Sequence, residues 1–202
     1  MQKTICLIDY NAGNIMSLFH AVSKISDHEV IISNRITDIE NSDYLILPGV
    51  GSYSYVTRYL EAKNLDQTLK DAMIHSKKPI LGICLGMQIL FESSEEYGYS
   101  QGLGILKGNI RKVPLGDNLP LPNIGWRNVK MDDSNPLFKS GWYYFAHSYY
   151  VSNPSDEIVI GVSDYGIEIP SVINNNNFYG VQFHPEKSSE TGIQFLKAFL
   201  NI

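Results

Sequence analysis

One cysteine, one histidine and one glutamate are the residues whose types and spacing could do chemistry in this sequence. Cys84 lies in Gly82-Ile-Cys84-Leu-Gly86, where an apolar run that begins near Lys78 breaks and resumes as a helix. A nucleophile on such a strand-to-helix turn projects above the sheet edge, and glycines two residues either side let the turn close. The thiol is therefore expected to be presented rather than packed. It would sit at a helix N-terminus, whose free N–H groups and dipole favour an anion and pull the thiol below its usual pKa of about 8.5. The Leu85 N–H points to the same place and could receive an oxyanion. A cysteine after an apolar strand is commonly an inert core residue, but the glycine spacing and a second motif weigh against that here.

The second motif is Tyr179-Gly-Val-Gln-Phe-His184-Pro-Glu186. Side chains two apart on an extended segment face the same way, which puts His184 and Glu186 on one side, and Pro185 biases His184 towards extended backbone. A thiol nucleophile needs a base, and the base needs an orienting acid. Cys84, His184 and Glu186 supply one candidate for each role. The loop Pro48-Gly49-Val50-Gly51 follows the apolar run 44–47, and its glycines leave peptide N–H groups free to face a ligand. It is expected to give the second oxyanion donor, opposite Leu85. One acid among Glu92, Glu95 and Glu96 could meet an amino-acid ammonium group.

The elements that must position these groups alternate. Strands are expected at 4–9, 29–32 and 44–47, helices at 15–25, 53–63 and 66–75, then the strand into Cys84, and a closing helix at 190–200. Continuous apolar strands alternating with amphipathic helices imply an α/β protein, with a flavodoxin-like open, mostly parallel sheet covered by helices on both faces. Loops after such strands lie at the carboxyl edge of the sheet, where open α/β folds bind ligands, so Asn11 and Asn14 are placed near the site. Between residues 102 and 173 the texture changes to short apolar pieces at 102–106, 109–113, 124–129, 143–146, 157–160 and 170–173. These read as an added antiparallel β layer, with 174–177 as a hairpin turn before the strand into His184.

A chain of 202 residues can bury one core, so a single domain over 1–202 is expected. No apolar stretch approaches the roughly 20 residues that span a bilayer, and the start runs into a strand with no signal pattern, so a cytoplasmic protein is expected. Cys6 and Cys84 form neither a disulfide framework nor metal-ligand spacing with the histidines. No metal and no cofactor are implied, and Cys6 reads as inert. A net charge of -5 with scattered basic residues argues against nucleic acid. The aromatic crowding of Trp126, Trp142, Tyr143, Tyr144, Tyr149 and Tyr150 suits half-buried strands or an interface. His20, His28 and His75 are poor candidates for chemistry, and His147 suits packing or hydrogen bonding better than catalysis.

With Pro-Gly-Val-Gly at 48–51, Gly-Ile-Cys-Leu-Gly-Met-Gln at 82–88 and Gly-Val-Gln-Phe-His-Pro-Glu-Lys-Ser at 180–188, the chain resembles the class I glutamine amidotransferases over essentially its whole length. Within that class it is most similar to the glutaminase subunits of imidazole glycerol phosphate synthases, on Ile124-Gly-Trp126, Tyr144-Phe-Ala-His-Ser-Tyr149 and Lys187-Ser188. The resemblance implies that Cys84 attacks the carboxamide of glutamine and forms a thioester, while His184 passes the proton to departing ammonia and Glu186 holds the imidazole. It assigns the oxyanion loop to Gly49, Val50 and Gly51, glutamine contacts to Gln88, Glu96, Ser148 and Tyr149, and interface positions to Asn14, Trp126, Tyr144 and Lys187. It also implies a (β/α)8-barrel cyclase partner that takes the ammonia, forming a heterodimer in histidine biosynthesis.

The sequence departs from that pattern at Arg127, where asparagine is expected after Gly-Trp, and at Asn123, where histidine often follows the proline. Both lie near the implied docking face. They leave open a relative that feeds ammonia to a barrel partner in amidino-sugar synthesis. A free-standing cysteine peptidase or γ-glutamyl hydrolase would use the same three side chains without a partner, and a non-enzymatic binding module would keep them only as architecture.

Overall fold

The computed structural model describes residues 2–114, 119–132 and 137–202. Strands β1 (Thr4–Ile8), β2 (Glu29–Ser33), β3 (Tyr44–Leu47), β4 (Ile80–Ile83) and β13 (Phe178–Val181) lie side by side in the order β2-β1-β3-β4-β13, every pair parallel. Beyond β13 the same sheet continues through β12 (Glu168–Asn175), β11 (Val159–Asp164), β8 (Asn123–Met131) and β9 (Gly141–His147), and these pairs are antiparallel. A second, smaller sheet joins β10 (Tyr149–Ser152), β7 (Asn109–Lys112), β5 (Ser93–Ser94) and β6 (Ser100–Gln101). The added β structure is thus divided: most of it extends the central sheet sideways, and the remainder forms the separate sheet.

Alternation along β1 shows why helices cover both faces. Cys6 and Ile8 enter one apolar cluster with Val56 and Leu60 of α3 (Tyr53–Ala62) and Leu69 of α4 (Leu65–His75). Ile5 and Leu7 enter another with Leu18 and Val22 of α1 (Met16–Ile25) and Phe195, Leu196 and Phe199 of α6 (Ser189–Leu200). Successive strand side chains point to opposite faces, so a continuous apolar strand needs cover on both.

Three expectations are corrected. The helix after Cys84, α5 (Leu85–Gln88), is a single turn. The stretch 102–106, read as a strand, is an irregular segment whose N–H groups bond to the carbonyls of Ile89, Leu90 and Phe91. The helical turn closes where the Leu90 and Phe91 N–H groups switch to the i−3 carbonyls of Met87 and Gln88, and the carbonyls of Ile89, Leu90 and Phe91 then accept from Leu103, Ile105 and Gly104. The stretch 157–160 begins as a 3₁₀ turn over Asp156–Ile158, and only Val159 starts the strand. Sequence reading also passed over the helix α2 (Ile36–Asn41) and the short strands β5, β6 and β10. Among the described residues no helix is long and apolar enough to cross a membrane.

Candidate active site

Cys84 closes β4 with φ 48° and ψ −107°, a conformation that side chains avoid. Its N–H donates to Val181 O at 2.6 Å, and its carbonyl accepts the N–H groups of Met87 and Gln88 at 3.1 Å each. A Cβ on Gly86 would fall 2.1 Å from Leu47 O, so the turn lies against the end of β3 at a distance only glycine allows. The elbow is therefore present, with one change: Cys84 is only 7% exposed. The loop after β3 closes over it, since the Cβ an alanine would carry at 49 falls 2.8 Å from Cys84 Cβ and 3.1 Å from His184 Cε1. With a single helical turn behind it, any anion here meets adjacent N–H groups rather than a long macrodipole.

His184 and Glu186 do meet, by a route different from the extended one expected. Pro185–Lys187 is a 3₁₀ turn, and the Glu186 carboxylate reaches back to His184 Nδ1, Oε1 lying 2.8 Å away. That bond occupies Nδ1 and leaves Nε2 as the ring nitrogen available to Cys84, which lies close enough to act on the charge of the imidazole. Burial pushes the imidazole down, but the charge and hydrogen bond of Cys84, with the hydrogen bond and charge of Glu186, outweigh it and lift the group to about 10. The backbone is fastened as well: His184 N–H donates to Tyr144 O, Tyr144 N–H to Ser188 Oγ, and Ser188 Oγ to His184 O.

Among the described residues, neither the Leu85 N–H nor the Val50 N–H donates to a protein acceptor. Unpaired backbone donors are what an oxyanion needs. The loop that carries Val50 is packed from outside by the segment after β1: Ala12 and Val50 join the same apolar cluster, and Tyr55 Oη donates to Asn11 O. Asn14 caps the start of α1, its Oδ1 accepting the Met16 N–H at 2.9 Å.

Three of the four residues assigned to glutamine come together. Gln88 Nε2 donates to Tyr149 O at 2.9 Å, and the Glu96 carboxylate lies near enough to Tyr149 to push its phenol up, behind burial as the first cause. Glu96 Oε2 accepts the Tyr53 N–H at 2.6 Å and so caps α3 directly after the 48–51 loop. Ser148 differs: its carbonyl is taken by the Val113 N–H, and its side chain makes no hydrogen bond among the described residues. Trp126 and Tyr144 are register partners across β8 and β9 with rings in edge contact at 6.1 Å, and Lys187 is exposed beside them in the chain that leaves His184.

Sequence reasoning missed Gln182, which is fully buried and donates from Nε2 to Cys84 Sγ at 3.4 Å. The signal was available, because Gln182 precedes His184 by two, the same spacing used to pair His184 with Glu186. His147 takes the hydrogen-bonding role expected of it, between Asn123 Nδ2 and Tyr149 O.

Residues 6–202 match the family model of glutamine amidotransferase class-I. An imidazole glycerol phosphate synthase subunit HisH from Listeria monocytogenes serotype 4a is 43% identical over 201 residues, covering 98% of this chain and 95% of its own. A protein of the same name from Bacillus licheniformis is 42% identical over 202 residues, covering 96% and 94%. Among solved structures, a glutamine amidotransferase matches with TM-score 0.77 and 15% identity over 97% of both chains. PurLQS from Thermotoga maritima matches with TM-score 0.77 and 21% identity over 100% of this chain and 99% of that one. The structures speak to the fold, whereas the family model and the sequence relatives cover nearly every residue from the elbow to the closing helix, and on them this chain belongs to the class I glutamine amidotransferases.

Proposed function

We propose that this protein is the glutaminase subunit of an imidazole glycerol phosphate synthase, acting as one amidotransferase domain over residues 1–202. The observation that carries the reading is the placing of a buried His184 between Cys84 on the β4 elbow and Glu186, whose Oε1 lies 2.8 Å from His184 Nδ1. The sulfur attacks the carboxamide carbon of glutamine, and the developing oxyanion meets the free N–H groups of Leu85 and the 49–51 loop. The His184 imidazolium gives its Nε2 proton to the departing nitrogen, which leaves as ammonia, and a γ-glutamyl thioester remains on Cys84. His184, now neutral, takes a proton from water as it attacks the thioester, and glutamate leaves as the thiolate reforms. Glu186 keeps the imidazole in register and stabilises its charge.

Glu96 and Gln88 would hold the amino-acid end of the substrate. The Glu96 carboxylate faces the ammonium group, and the Gln88 carbonyl oxygen, which enters no hydrogen bond among the described residues, accepts from it. The names of the relatives support a synthase partner. A (β/α)8-barrel cyclase subunit would receive the ammonia and make imidazole glycerol phosphate and an aminoimidazole carboxamide ribotide. Ile124 and Trp126, 56% and 41% exposed, with Tyr144 and Lys187, offer that partner an apolar and aromatic face. The face continues into a groove of about 620 Å³ beside Trp126 and Trp142.

The test is glutamate release by the purified chain alone, with a cognate cyclase subunit, and with that subunit and its ribonucleotide substrate. Activity that rises with each addition supports the proposal. Full activity of the isolated chain, indifferent to both additions, would sink the subunit reading, and no activity in any combination would sink the glutaminase.

A further inference from the structure

We infer that Gln182 is a second hydrogen-bond donor to the Cys84 thiolate, held in its donating orientation by Gln88 and the Tyr149 carbonyl. The inference rests on the reading of Cys84 as the nucleophile. Its logic begins at a backbone atom that can only accept. Tyr149 O receives Gln88 Nε2 at 2.9 Å, which fixes the Gln88 amide with its NH₂ group towards that carbonyl. The same NH₂ group lies 2.9 Å from the Gln182 side chain, so the atom of Gln182 that faces it must be the acceptor Oε1. Gln182 Nε2 is then left pointing at Cys84 Sγ, 3.4 Å away. Two amide orientations that would otherwise be arbitrary are set by one carbonyl.

The origin of this chain is itself held. His147, 6% exposed, lies 2.9 Å from Tyr149 O through Nδ1 and 3.1 Å from Asn123 Nδ2 through Nε2. With Asn123 Nδ2 as the donor to Nε2, both contacts are satisfied by the neutral ring with its proton on Nδ1. Gln182 is 0% exposed and Gln88 5% exposed, so water does not compete for these bonds. The sulfur thus has two neighbours of different kinds, the His184 imidazole, whose charge it feels, and an uncharged amide that cannot surrender a proton. The charged groups facing it are His184 and, through His184, Glu186. Gln182 therefore stabilises sulfur as an anion without competing for the proton that catalysis moves, while the Gln88 NH₂ group, opposite the oxygen assigned to substrate, holds Gln182 in place.

The experiment is the pH dependence of Cys84 alkylation by iodoacetamide in the full chain, the thiolate displacing iodide to form a carbon–sulfur bond. Cys6 is 0% exposed and its thiol is pushed up to about 12, chiefly by burial, so it stays silent, and peptide mapping verifies the site. Gln182→Met keeps the length and removes the donor. Its alkylation midpoint is expected to rise by about one pH unit, a tenfold change equal to about 1.4 kcal/mol. Gln182→Glu places an acceptor against the sulfur and should rise further. Midpoints of both variants that superimpose on the parent would overturn the inference, because a packing role changes melting temperature and leaves the midpoint alone. Should either variant fail to fold, the parent chain with ¹⁵N-labelled glutamine side chains decides the matter. The Gln182 amide resonance should titrate with the alkylation midpoint and stop doing so in Cys84→Ala, and a resonance that ignores pH overturns it. A parent chain whose Cys84 resists alkylation at every pH would instead sink the nucleophile reading itself.

Discussion

Gly49 and Cys84 approach so closely that an alanine Cβ at position 49 would fall 2.8 Å from the Cys84 Cβ and 2.8 Å from Ile83 O. Because the Ile83 contact is backbone, the neighbour cannot rotate away. Gly49→Ala is expected to push the 48–51 loop off the nucleophile and remove its donor from the oxyanion. Losing one such donor typically costs about 10²- to 10³-fold in rate. Steady-state glutamine hydrolysis in the presence of the partner checks it, and a variant within threefold of the parent would count against a donor in this loop.

The His184 imidazole, raised to about 10, should set the alkaline side of the activity profile. The ring must be protonated to discharge ammonia, so activity is expected to fall as pH rises through that value. Glu186→Gln removes an anion that helps hold the proton, and the alkaline midpoint should move to lower pH, with kcat down about 10²-fold or more. A profile whose alkaline limb stays in place would show that Glu186 does not govern this proton.

His147 makes the fold sensitive to acid. Burial, ahead of the opposing Tyr149 carbonyl and the neighbouring His184 and Arg127 charges, holds it down at about 4 against an unfolded value near 6.5. The unfolded chain therefore binds a proton first, so this stabilisation is complete above pH 6.5 and lost as pH falls towards 4. The linked loss is on the order of 3 kcal/mol. Thermal melts between pH 7 and 4 should show the decline, and His147→Gln should flatten it. Parallel declines in both proteins would disprove the assignment.

Glu96 serves two ends. Ser52 offers α3 no side-chain cap, and Glu96 Oε2 takes the Tyr53 N–H instead. Glu96→Ala should cost about 1 kcal/mol of stability as a lost cap. It should also raise KM for glutamine about tenfold or more through the unpaired substrate ammonium, a loss of about 1.4 kcal/mol in binding. Denaturant melts and saturation kinetics separate the two, and a stability loss with unchanged KM would confine Glu96 to the helix.

Why the site was legible from sequence while parts of its surroundings were not follows from the range of the forces involved. Cys84, His184 and Glu186 sit in short motifs whose glycines and proline constrain the local backbone, and the parallel strands are apolar runs that only a double-covered sheet explains. The segment 102–106 is equally apolar, but its partners are the carbonyls of Ile89, Leu90 and Phe91, a tertiary choice that no period records. Gln182 escaped notice for another reason: a glutamine on a strand is ordinary until its neighbours show that its amide has a single permitted orientation. Glu186 reached His184 although the backbone between them turned out helical, because a long carboxylate tolerates either path.

Strand β13 fills the slot between β4 and β12, and 98 residues separate Cys84 from Gln182 at its end. A ribosome adding about 5 to 20 residues per second needs roughly 5 to 20 s to cross that interval. Throughout it the nascent polypeptide holds the sulfur without its imidazole, and β4 lacks the neighbour that will cover its far side. Until that late strand arrives, the growing chain cannot assemble its site and leaves β4 with an unpaired edge open to other strands.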